Sequence, residues 1–153
     1  MVPTQTAPAP VPAPVRASST LWFAAVGAGA FEAALAVGQA LSAGESFSSF
    51  AGGLAFRLAV FAGAVFLAVC LRQGRNWARI ALAVTLGVFG TLSLVIEPIR
   101  WLLAGNSVTE FYASAEVLTY VFTLSRVLHL AAVLGAMVLM FSSAANAYFR
   151  ERR

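Results

Sequence analysis

The stretch Leu71-Arg72-Gln73-Gly74-Arg75-Asn76-Trp77-Ala78-Arg79-Ile80 decides how this chain is read. It is a short polar turn with three arginines and no acid, set between two long apolar runs. Short loops rich in arginine stay on the cytoplasmic side of a membrane, so placing this turn assigns a side to every other loop.

The composition supports a membrane reading. Of the 153 residues, 60% are hydrophobic and 10% charged. Soluble domains carry about 25% charged residues. The formal charge of +4 comes from arginines gathered at the ends of apolar runs, which is a topology signal and not a nucleic-acid stripe. There is no lysine, and alanine is abundant, a usage that points to GC-rich bacterial coding. The single cysteine, Cys70, cannot form an intramolecular disulfide, a CxxC pair or a zinc cluster, and reads as a small apolar residue.

Four spans are expected, at about residues 21–41, 50–71, 77–96 and 117–141, giving an all-α antiparallel transmembrane bundle over residues 21–149. A run of 21 residues rises about 30 Å as a helix, the thickness of a bilayer core. Residues 1–20 hold five of the six prolines and read as a disordered, Pro/Ala-rich cytoplasmic tail. Ala40-Leu41-Ser42 resembles a signal-peptide cleavage site, but Glu32 within the apolar run and the long tail before it argue for a retained span. Glu97-Pro98 is expected to end the third span, because the residue before proline is pushed out of the helical region. The loop at 97–116 follows, with Ile99, Trp101, Leu102 and Leu103 lying along the membrane surface. The fourth helix is expected to run on through Tyr148 to a basic C-terminus at 150–153.

An even number of spans puts both termini on one side. That side carries Arg16, Arg72, Arg75, Arg79, Arg150, Arg152 and Arg153; the other carries Arg100 with Glu45, Glu97, Glu110 and Glu116. The asymmetry predicts a multi-pass protein of a bacterial cytoplasmic membrane with both termini inside.

Ionisable residues at membrane depth are costly and mark either structural contacts or a pathway. Glu32 shares a helical face with Ala25, Ala28, Gly29, Ala36 and Gln39, small enough for a neighbouring helix to approach. Arg126 and His129 are three residues apart on the fourth span, at a depth matching that of Glu32. A polar contact among Glu32, Gln39, Arg126 and His129 is therefore expected. Its structural reading is a set of satisfied contacts that fixes helix order; its functional reading is a proton or substrate relay. Arg57, early in the second span, is expected to reach the outer headgroups or to meet Glu97 or Glu116. With one histidine and no aspartate, no metal, haem or other cofactor site is expected, and no catalytic motif is present. Ala59/Gly63, Ala83/Gly87 and Ala131/Gly135 have the spacing of close helix contacts.

The turn Gly74-Arg75-Asn76-Trp77-Ala78-Arg79, followed by an apolar span, resembles one found in small four-span membrane proteins of actinobacteria that carry Pro/Ala-rich tails; the resemblance implies no activity. A membrane-embedded glutamate in the first of four spans is also similar to the small multidrug-resistance transporters, matched here at Glu32. The chain departs from that family in its length, its long second external loop, and Arg57 and Arg126 within the spans. The sequence thus reads as a small, non-enzymatic integral membrane protein acting as an accessory or partner-binding subunit. The alternative is a small proton-coupled transporter or pore using Glu32. The expected partners are the lipid bilayer and a membrane protein or further copies of the chain, with no nucleic acid.

Overall fold

The computed structural model describes residues 10–152; the first nine residues of the expected tail, and Arg153, lie outside them. The described residues form α1 (Ala13–Ser42), α2 (Phe47–Arg72), α3 (Asn76–Leu82), a π-helical stretch (Ala83–Gly90), α4 (Thr91–Leu103), α5 (Val108–Ala113), α6 (Val117–Met140) and α7 (Ser143–Arg150), with no strand among them. The third span is continuous over Asn76–Leu103, so four helices are long and apolar enough to cross a membrane. The chain is a multi-pass, all-helical membrane protein. Helices suit this setting because each one satisfies its own backbone N–H and C=O groups where no water can do so.

The expected tail over residues 1–20 is corrected by the start of α1 at Ala13. Pro14 sits in the first turn, where amides have no intrahelical acceptor, so its missing N–H costs nothing there. Val15, Ser18 and Ser19 are fully buried. The Ser18 hydroxyl donates to the Ala136 carbonyl of α6 at 2.8 Å, and the Ser19 hydroxyl donates to the Ala68 carbonyl of α2 at 3.2 Å. Residues whose composition suggests a tail thus bind the start of α1 to two neighbours.

Glu97-Pro98 does not end the third span. Pro98 lies inside α4, and the helix continues to Leu103. Proline removes one helical hydrogen bond, whereas the turns on either side of it keep theirs, so the helix runs through it. Ile99, Trp101, Leu102 and Leu103 accordingly belong to α4 and not to a surface loop. Within the π-helical stretch that precedes α4, the Thr85 hydroxyl bonds back to the Ala81 carbonyl at 2.7 Å.

The fourth helix also differs from expectation. It stops at Met140 and does not run on through Tyr148. Ser142 caps a new helix, accepting from the Ala145 amide at 3.4 Å, and α7 turns back toward the α2–α3 turn. There the Tyr148 hydroxyl donates to the Arg72 carbonyl at 3.3 Å, and Arg152 Nη1 donates to the Gln73 carbonyl at 3.2 Å. Gly74 makes this docking close. Its φ is +80°, and a Cβ there would lie 2.6 Å from Arg152 Cδ.

Helix α1 is central, packing along α6 and over a shorter stretch against α2, while the third span joins chiefly through α3 against α2. Gly135 receives Leu21, and Gly87 lies under Met137, both close approaches. Gly63 faces open space, so the Ala59/Gly63 spacing makes no such contact. Trp22, Leu71, Leu82, Met140 and Phe149 form a core at the end where α1 meets α7. The other half is more open: burial in α2 begins only at Ala64, and α4 and α5 bury no residue.

Candidate functional site

Glu32 lies ten residues before the end of α1, about 15 Å along the axis from Ser42. Its residue is only 7% exposed. Three side chains of α6 converge on its carboxylate. Ser125 Oγ donates to Oε1 at 3.4 Å, Arg126 Nη2 donates to Oε2 at 3.4 Å, and His129 Nδ1 lies 3.3 Å from Oε1. An ionised carboxylate only accepts, so with Glu32 charged the His129 contact requires the proton on Nδ1.

Backbone geometry explains the convergence. Residues 125, 126 and 129 fall on one surface of a helix with 3.6 residues per turn. The facing surface of α1 is low there because position 29 is glycine. A Cβ at Gly29 would stand 3.0 Å from Phe61 Cε1 of α2 and 3.2 Å from His129 Cε1. The missing side chain lets the imidazole and the Phe61 ring close over the same point. The guanidinium of Arg126 also lies 5.1 Å from the Phe122 ring centroid, one turn away on its own helix.

The structure brings together Glu32, Arg126 and His129 of the four residues expected to meet. Gln39 is exposed, two turns farther out on α1, and is not part of the cluster. Ser125 is the member that sequence reasoning missed. Its signal was positional, next to Arg126 and one turn before His129, but serine is common in membrane helices and carries no charge to flag it. Thr123 is occupied elsewhere, its hydroxyl 2.8 Å from that of Tyr112 in α5.

Arg57 is exposed and meets neither Glu97 nor Glu116, which leaves the outer headgroups as its expected setting. Glu97 pairs instead with Arg100 at 3.2 Å. A register reason keeps Arg57 outside the cluster. Phe61 is the α2 residue that reaches Gly29, and Arg57 sits a turn outward, where α2 buries nothing.

Of the arginines singled out for topology, Arg72, Arg75 and Arg150 are exposed, Arg152 stacks 4.5 Å above the Tyr148 ring, and Arg153 lies outside the described residues. Arg79 differs from them in being 7% exposed. Its guanidinium lies 4.2 Å from the Phe141 ring centroid and 5.1 Å from that of Phe149, and its Nη2 donates to Asn146 Oδ1.

Chemically, the Glu32 cluster is an ion pair with two further polar contacts. Ser125 and His129 both address the same carboxylate oxygen. A nucleophile–base pair would need the hydroxyl directed at an imidazole nitrogen. Compared with protein-family models, curated proteins and solved structures, the chain matches none.

Proposed function

We propose that this chain is a non-enzymatic accessory or partner-binding subunit of a bacterial cytoplasmic membrane, with both termini cytoplasmic. In this reading the Glu32 cluster is an internal lock that sets the pairing of α1 with α6. The observation that carries it is the engagement of the Glu32 carboxylate by Ser125, Arg126 and His129. A coupling carboxylate must exchange its proton or ligand with a pathway. Here both oxygens already have protein partners. The sparse burial of α2 and the third span leaves apolar helix faces for lipid or a membrane partner.

Crosslinking in native membranes followed by purification tests the subunit reading. A stoichiometric second protein is the expected result; a self-dimer alone, with flux abolished by Glu32→Gln in a correctly folded protein, would favour a proton-coupled transporter instead. Reporter fusions test the threading, which rests on the arginine asymmetry. Fusions after Gly74 and Arg153 should report the cytoplasm, and fusions after Glu45 and Glu110 the outside. An outside signal after Gly74 would overturn it.

A further inference from the structure

A cleft of about 390 Å³ opens between α3 and the corner where α6 meets α7. One face of α3 supplies Asn76, Arg79 and Ile80, and one face of α7 supplies Asn146 and Arg150. Each helix thus contributes one arginine and one asparagine, at spacings of three and four residues that put both on the same side. Among the described residues no acid lines the cleft; Glu151, next to Arg150, is not one of the lining residues.

The cleft also has a defined level. Asn76 is the first residue of the third span, and Phe141 follows the last residue of α6, so it lies where the helices leave the apolar layer. Its walls change character along that direction. Arg150 is exposed at the polar end, whereas Ile80, 49% exposed, and Phe141, 41% exposed, form an apolar flank. Arg79 sits between them, its charge held in one orientation by Asn146 and the aromatic rings.

We propose that this cleft binds the phosphate group of an anionic phospholipid, with Arg150 and Asn76 as hydrogen-bond donors to it, Arg79 as a fixed positive charge beneath it, and an acyl chain along Ile80 and Phe141. A basic recess at this level meets lipid headgroups by default, and a phosphodiester matches planar guanidinium donors. The half-apolar wall selects a lipid over free phosphate, which has no chain to bury there. The site is independent of the Glu32 cluster and of the accessory-subunit reading, since it lies at the C-terminal end of α6, about 18 Å along the axis from His129.

The test is lipid retention by the full-length protein in vesicles of phosphatidylcholine, with or without phosphatidylglycerol, read by native mass spectrometry. Phosphatidylglycerol should be retained in preference to phosphatidylcholine. Arg150→Gln should weaken that retention about fivefold, the worth of one interfacial arginine. Arg75→Gln, at the same end but outside the cleft, should change it little, with helix content unaltered in both. Arg79 is buried and its loss could unfold the corner, so Asn76→Ala serves as the second variant and should also lower retention. Equal retention of the two lipids, or equal losses for Arg75→Gln and Arg150→Gln, would overturn the site. Inorganic phosphate that saturates the protein in phosphatidylcholine vesicles and displaces phosphatidylglycerol would overturn the lipid as its ligand.

Discussion

Removing the charge of Glu32 is the sharpest perturbation of this structure. Its carboxylate is 8% exposed, while the Arg126 side chain is 35% exposed. Breaking a fully buried ion pair costs about 3–5 kcal/mol because one charge is left stranded. Two features lower that figure here. The contacts are 3.3–3.4 Å long, at the weak end of hydrogen-bond geometry. Arg126 also keeps part of its solvent or headgroup access and the Phe122 ring beneath it. Glu32→Gln retains an acceptor for Ser125 and His129, so about 2 kcal/mol is expected, and about the same for Arg126→Gln. The double variant strands neither charge and should cost about 3 kcal/mol, leaving a coupling of about 1 kcal/mol, within the range found for contacts between membrane helices. The assay is reversible unfolding in mixed micelles by titration with a denaturing detergent, followed by far-ultraviolet circular dichroism. A coupling below about 0.3 kcal/mol, the level at which independent sites add, would refute the claim that this contact holds α1 to α6.

Three other consequences follow from the packing. Deleting residues 2–18 removes buried Val15 and the Ser18 bond to Ala136, and should lower stability by about 2 kcal/mol or more in the same unfolding assay; wild-type stability would show that the first turns of α1 are dispensable. Gly74→Ala meets both a φ of +80° and the Arg152 side chain, so a loss of about 1–2 kcal/mol is expected, and an unchanged midpoint would mean that α7 does not dock on this turn. Arg57→Ala should stay within about 0.5 kcal/mol of the parent protein, whereas Arg126→Ala should cost about 2 kcal/mol; equal losses would contradict the exposure of Arg57.

Residue type was a poor guide wherever its usual setting was absent. Pro98 carries a strong stop signal in water, where a terminated helix finds solvent for its carbonyls. Here the helix passes through Pro98 to the cap at Ala104 and Gly105, because a proline inside a helix removes only one backbone bond and the turns on either side keep theirs. Ser18 and Ser19 read as tail-like beside five prolines, yet a serine hydroxyl facing another helix finds a carbonyl and becomes an interhelical contact. The break at Phe141 and Ser142 was hidden for a related reason. The apolar run fades gradually, and only the docking of Tyr148 and Phe149 on the core makes a separate α7 worthwhile.

What the sequence determined by itself is what adds up residue by residue. Transfer free energy summed over a window marks four segments able to cross a membrane. A rise of about 1.5 Å per residue gives Glu32, Arg126 and His129 their depths along their helices. Neither quantity needs to know which helices touch. Tertiary structure decided the rest because contacts depend on rotation about each helix axis and on how closely two axes approach. The gap at Gly29 lets His129 and Phe61 close in, which brings Ser125 to Glu32 and leaves Gln39 outside. The turn of α7 carries Asn146 and Phe149 to Arg79, converting one arginine of a topology signal into a buried cation while Arg72 and Arg75, in the same short stretch, remain exposed.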